Sequence, residues 1–259
     1  MARKKRNANL LEKLSQAGDE AASFKLLAGR RSMRSELSRL DRLLCFEYIL
    51  WARSVKFVAG VDEVGLGALA GPVIAAAVVF PPHVEIKKLA GMNDSKKLTP
   101  LKREILNERI REQALSVGIG LVDIDEIAKL NIYRAGQEAL RRAVKNLTVE
   151  PEHVLIDGRP VPGLAIPHNC FVKGDSLDFS IAAASIVAKV YRDALMVEYG
   201  KTYTEYGFSR HKGNGTEAHW EALKTFGTSP IHRASYEKLR ELSASDETID
   251  EEEVFGLTV

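Results

Sequence analysis

Between residues 57 and 80 the chain carries only two charged side chains, Asp62 and Glu63, and they are adjacent. Everything around them is apolar or small, ending in the unbroken eight-residue run from Val73 to Phe80. Four glycines and a proline interrupt residues 57–72. In a helix interior glycine costs about 1 kcal/mol and proline about 3, so one long helix is excluded. The stretch instead predicts two buried strands joined by a glycine-rich turn. Within it at least one carboxylate must point toward protein, where charge is costly unless paired or bound to a metal. No basic residue lies in the stretch to pair with it. The bland alternative, a solvated acidic turn at a strand end, stays open at this point.

The remaining elements place this stretch in a mixed α/β layer fold. A third strand is predicted across residues 115–123. Thr99-Pro100 reads as a helix start running to about Glu112, with proline at the first helical position. Asp123 and Glu126 are set to cap a second helix reaching about Leu147. Short strands are predicted at 154–157 and 170–172, a helix from about Ser176 to Tyr199, and a last helix from about Thr216. Strands first, then alternating helix and strand, argue for a single mixed sheet with helices on it.

Composition sets the frame. With 259 residues, 45% hydrophobic and 28% charged, the chain can bury one sizeable core and is too apolar to be disordered. Two cysteines, Cys45 and Cys170, cannot build a disulfide framework, and no secretory leader is read in the first residues. The expectation is a reducing cytoplasm. An eight-residue apolar run is far short of the ~20 residues of a membrane span, so no membrane association is expected. The net charge of +2 is uneven: residues 1–57 hold 13 Lys/Arg against 6 Asp/Glu. That front segment, with Leu37, Leu40, Leu43 and Leu44 at helical spacing, reads as a basic helical extension over residues 1–54. It suits a polyanion-binding arm or a solvated helical face equally. Arg3-Lys-Lys-Arg6 reads as a frayed end, and residues 241–259 as a disordered acidic tail.

Two further acids follow the same grammar as Asp62 and Glu63. Asp157 ends a short apolar strand before Gly158, and Asp175 follows Lys173-Gly174 ahead of an apolar helix. Singly, Asp157 reads as a turn residue and Asp175 as a helix cap. Together, four carboxylates ending neighbouring elements of one layer cluster at a sheet edge or end. Oxygen-only ligands select hard cations such as Mg²⁺ or Mn²⁺. Two such ions can activate water and stabilise a leaving oxygen in phosphodiester hydrolysis, with no histidine or cysteine required. Gly65-Leu66-Gly67 beside the acids would let the backbone approach a ligand, including the 2′-hydroxyl that marks RNA. No helix or third glycine follows as a dinucleotide site requires. The loops at Lys96-Lys97, Arg210-His-Lys-Gly213 and Ile231-His-Arg233 combine residue types suited to phosphate contact.

At these residues the chain resembles the bacterial ribonuclease HII family. The matching segments are Gly60-Val-Asp-Glu-Val-Gly65, Leu69-Ala-Gly-Pro-Val73, Asn93-Asp-Ser-Lys-Lys-Leu98 and Leu155-Ile-Asp-Gly158. They continue with Lys173-Gly-Asp175, Ala182-Ala-Ala-Ser-Ile-Val-Ala-Lys189, Tyr206-Gly-Phe208, His211-Lys-Gly213 and Ser229-Pro-Ile-His-Arg233, in the family's order across residues 55–237. The resemblance implies an RNase H-like mixed five-stranded sheet flanked by helices, carried by a catalytic domain at residues 55–240. It implies hydrolysis of the RNA strand of RNA–DNA hybrids, or incision at a ribonucleotide embedded in duplex DNA, leaving a 3′-hydroxyl. Asp62, Glu63, Asp157 and Asp175 match the catalytic carboxylates, with Asp62, Glu63 and Asp157 as the metal ligands. Substrate contacts are expected at Gly65, Leu66, Gly67, Lys96, Lys173, Ser185 and Asn214, in a chain acting as a monomer.

Two positions depart from the family pattern. Leu66 stands where an arginine that touches phosphate is usual, and Asn214 where a tyrosine packs on the sugar at the RNA–DNA junction. Leucine removes a charge-assisted contact, and an amide cannot reproduce ring packing. Beside the hydrolase reading, this raises the alternative of a hybrid-binding protein with weak or altered junction specificity.

Overall fold

The apolar stretch forms two strands, β1 (Val58–Val64) and β2 (Val73–Val79), paired antiparallel with Asp62 opposite Ala76. The structure, a computed structural model, describes residues 20–233. β3 (Ser116–Val122) pairs antiparallel with β2, while β4 (His153–Asp157) and β5 (His168–Phe171) add in parallel beyond β1. The outcome is the five-stranded mixed sheet expected, in the order β3-β2-β1-β4-β5. β1 is central, which puts both acids at a strand end inside the sheet and removes the solvated-turn reading.

Two helices, α1 (Glu20–Leu43) and α2 (Cys45–Ala52), precede the sheet. After β2 come α3 (Pro100–Gln113), α4 (Ile124–Leu130), α5 (Ile132–Lys145) and α6 (Phe179–Thr202). The short α7 (Phe208–His211) and α8 (Glu217–Phe226) complete the order. Strand alternation divides the sheet's side chains between two helix layers. Ala59, Val61, Val73 and Ala75 pack with Ala139 and Ala143 of α5, whereas Ile74, Ala76 and Val78 pack with Ala183 and Val187 of α6. Covered on both faces, β2 buries every residue. Gly60 lets α6 sit directly on β1: a Cβ there would lie 2.1 Å from the Ser180 carbonyl carbon.

Three boundaries differ from expectation. The helix predicted from Asp123 to Leu147 is two helices. Asn131 swings to φ 68°, a region open to asparagine more than to most residues, and its side chain accepts from Arg134 N–H (3.1 Å) to start α5. The helix predicted from Ser176 starts at Phe179, because Asp178 is the cap, accepting from Ile181 N–H at 2.9 Å. The last small strand lies at His168–Phe171 rather than 170–172. The caps at Thr99, Asp123 and Thr216 stand where the sequence places them.

Of the N-terminal segment, the described residues from 20 onward are helical, and their end is part of the core. Leu40, Leu43 and Leu44 pack with Phe80, Leu89 and Phe179. Glu47 of α2 is fully buried and accepts from both N–H and Oγ of Ser180, at 3.1 and 2.5 Å. Arg3-Lys-Lys-Arg6 and the acidic tail lie outside the described residues. Among the described residues no helix is long and apolar enough to cross a membrane.

Candidate active site

β1 and β4 run parallel with Val61 beside Ile156, so the next residues, Asp62 and Asp157, end adjacent strands. Alternation gives them the same face, the one that Val58 and Leu155 share with Ile181 of α6. Glu63 points to the other face. The pair therefore straddles the end of β1, with Asp157 alongside. Asp157 Oδ1 accepts from Gly174 N–H at 2.5 Å, which ties β4 to the 3₁₀ turn Gly174–Ser176 carrying Asp175.

This arrangement collects negative charge in a half-dry place. Asp62 and Asp175 are buried. Burial, then the charges of Glu63 and Asp157, hold the Asp62 carboxyl well above the usual carboxylate range. Burial and Asp157 push Glu63 up to about 7, with Lys96 pulling the other way. Burial, Asp94 and Asp157 raise Asp175, again against Lys96. Glu63 Oε2 is buried and meets no hydrogen-bond donor. An unpartnered buried carboxylate oxygen among like charges is what a hard divalent cation would satisfy, so the residues fit such an ion. Among the described residues, no three acid, histidine or cysteine side chains stand close enough to grip an ion as they are.

Above the acids lies an open groove of about 360 Å³. Asp62, Glu63 and Asp157 line it, with the turn Gly65, Leu66 and Gly67 along one wall. Lys96, Ser185 and Asn214 line it too, bringing together most of the substrate contacts expected from sequence. Ser185 Oγ, on α6, is 2.9 Å from Ser95 Oγ. Asn214 is exposed, its amide donating to the His211 carbonyl at 2.9 Å. Lys173 is not in the lining. It is exposed on a left-handed turn residue (φ 62°) before Gly174. The two expected roles for Asp175 separate: Asp178 takes the cap, and Asp175 faces Asp94 and Asp157 electrostatically.

Two arginines shape the glycine turn: Arg192, which sequence reasoning missed, and Arg233, which it read as part of a phosphate-contact loop. Arg233 is 1% exposed and donates to the carbonyls of Gly65 (2.7 Å), Ala68 (2.8 Å) and Gly71 (2.8 Å). Arg192, equally buried, donates to Ala70 (3.0 Å), Pro72 (3.1 Å) and Lys212 (2.9 Å). Burial and the neighbouring Arg233 charge lower Arg192 to about 10. The third basic loop, Ile231-His-Arg233, is thus no phosphate contact but an internal brace. His232 is also buried, its Nε2 3.0 Å from His219 Nε2. His211 turns likewise, Nε2 to the Tyr206 carbonyl at 2.6 Å, and with Arg210 and Lys212 it lines a neighbouring hollow of about 440 Å³. Asp94 was also missed. It caps the turn Ser95–Lys97, and that motif was read for its lysines alone.

Comparison with known proteins points the same way. The family model described as ribonuclease HII matches residues 59–239. Ribonuclease HII of Clostridioides difficile is 44% identical over 219 residues, 85% of each chain. That of Myxococcus xanthus is 43% identical over 236 residues, 90% of this chain and 80% of its own. The crystal structure of ribonuclease H2 from Pyrococcus horikoshii superposes with a TM-score of 0.62 at 26% identity, covering 74% of this chain and 99% of that one.

Proposed function

Because this chain belongs to the ribonuclease HII family, metal-dependent endonucleases acting on RNA–DNA hybrids, we propose that Asp62, Glu63 and Asp157 hold its divalent ion and that Asp175 completes the catalytic set. The observation carrying this reading is the parallel register that sets Asp157 beside Asp62, next to a buried Glu63 oxygen with no donor. A divalent ion there, Mn²⁺ or Mg²⁺, would supply an activated water and stabilise the leaving 3′-oxygen. The chain's own residues do the positioning. Arg192 and Arg233 fix the turn so that Gly65 and Gly67 present backbone to the groove. A Cβ on Gly67 would meet nothing within 4 Å, so no packing inside the chain requires glycine there, and the bare backbone suits close approach of a sugar hydroxyl. Lys96 lies over the acids as a phosphate partner, and Ser185 steadies Asp62 from α6. The enzyme acts as a cytoplasmic monomer.

One observation favours a weak or altered junction specificity. The Leu66 side chain lies on α5, where a Cβ on Gly136 would come within 2.9 Å of it, and Asn214 bonds its own loop. Neither holds the ribonucleotide as an arginine and a tyrosine would. The test is cleavage of a uniform RNA–DNA hybrid and of a duplex with one ribonucleotide, side by side in Mg²⁺ and Mn²⁺. Metal-dependent cleavage of the hybrid is expected, and Leu66→Arg/Asn214→Tyr should raise kcat/KM on the single-ribonucleotide duplex. No gain from the double change refutes the junction reading; cleavage that survives Asp62→Asn refutes the metal site.

A further inference from the structure

Because Asp62 and Glu63 face opposite sides of the sheet, the carboxylates border two hollows. The second lies on the α5 side, about 140 Å³ in volume, and shares Glu63 and Asp157 with the main groove. Leu66 forms one wall, and Tyr133 and Gln137 of α5 another. Leu66 can lie flat against the helix because Gly136 has no side chain, and this keeps the recess open. Across from it stands Arg159, two residues beyond Asp157, after Gly158 turns the chain at φ 86°.

Among the described residues, Arg159 is the one cation lining this recess. It is exposed, and among the described residues no hydrogen bond or ion pair engages it, whereas Arg103, Arg141, Arg142 and Arg192 are each held by protein oxygens. A guanidinium beside two carboxylates, yet paired with neither, keeps its planar fork available for an outside anion. The surroundings select among anions. A small inorganic anion, with no apolar part, would gain only Arg159 while facing Glu63 and Asp157. A nucleotide unit carries a phosphate for Arg159 and a sugar and base for the Leu66 and Tyr133 surfaces, and Tyr133 is 51% exposed.

We propose that this recess seats the nucleotide unit adjoining the one cleaved, and that Arg159 contacts its phosphate as a specificity-determining residue. The inference rests on the hybrid-endonuclease reading above. Glu63, Leu66 and Asp157 border both hollows, so a strand whose scissile phosphate lay over Asp62 and Asp157 would have this recess next to it. Arg159 touches substrate through phosphate alone, so its removal weakens binding without altering the carboxylates.

Steady-state cleavage of a uniform hybrid by the native chain, Arg159→Ala and Arg159→Lys, across a salt series, tests this. Arg159→Ala should raise KM about tenfold, the size of one good contact, and leave kcat within about twofold. The slope of log affinity against log salt should shrink by about one, and Arg159→Lys should restore that slope while recovering only part of KM. A merely structural arginine would not move the salt slope. Unchanged KM and slope in Arg159→Ala, with native thermal stability, overturns the proposal. Failure of the underlying reading is separately visible, as a native chain that does not cut the hybrid.

Discussion

Replacing Asp62 by asparagine should make the metal-free protein more stable while abolishing its chemistry. The Asp62 carboxyl is buried and held well above its ordinary range by burial, then Glu63, then Asp157. A carboxyl raised in the folded state contributes its stability fully below the unfolded value of about 4, and that contribution disappears as pH rises through the folded value. Asparagine keeps the shape, and its Oδ1 can still accept from Glu63 N–H as Asp62 does at 2.8 Å. What it removes is one charge that the apo protein leaves uncompensated. The expected gain is about 1–3 kcal/mol at pH 8, shrinking toward zero at pH 4. Urea unfolding in chelator at several pH values measures it. With Mg²⁺ or Mn²⁺ added, the native chain should gain about 1.4 kcal/mol for each tenfold excess of ion over Kd, and Asp62→Asn should gain far less. Cleavage should fall by more than the about 10–100-fold typical of losing an outer partner of a metal ligand. An asparagine variant less stable than the native chain in chelator at pH 8, or equally stabilised by metal, would refute the reasoning.

Glu47→Gln should stabilise the chain at pH 8 by about 1–2 kcal/mol and have little effect near pH 4. Burial raises both Glu47 and Asp178, and Glu47 Oε2 and Asp178 Oδ2 meet no donor, so the folded pair favours holding a proton that glutamine's amide would replace. The native contribution is thus present at low pH and lost as pH rises, and a Tm difference that does not grow with pH contradicts it. Gly60→Ala should cost about 3 kcal/mol or more, because its Cβ would lie 2.1 and 2.3 Å from backbone atoms of Ser180 and Ile181. Gly67→Ala should change Tm little and weaken hybrid binding, and equal melting of the two variants would count against the close packing described here.

Much of the fold was legible because it is local. Two charges in an apolar run, glycines that forbid a helix, and caps at Thr99, Asp123 and Thr216 each act within a few residues. The motif residues at Asp62, Glu63, Asp157 and Asp175 could likewise be picked out from their positions at element ends. Asn131 and Asp178 were harder: each is a polar residue inside an otherwise helical pattern, and either could cap a helix or merely ride on one. Lys173 shows the limit of adjacency: next to Gly174 and Asp175 in sequence, it stands exposed on a left-handed turn outside the groove lining.

What the chain order could not give is which strand lies beside which. β1 pairs with β4 across more than ninety residues, and only that register sets Asp157 against Asp62 and makes the carboxylates raise one another. The same holds for Arg233, which in sequence looks like any surface cation of a basic loop and in the fold braces a turn 168 residues away. Sequence by itself determined the element types and the acids, because backbone preference and side-chain chemistry are properties of short segments. Tertiary structure decided burial, charge coupling and the two-sided hollow around Glu63, because desolvation and Coulomb interaction depend on distance in space, not along the chain.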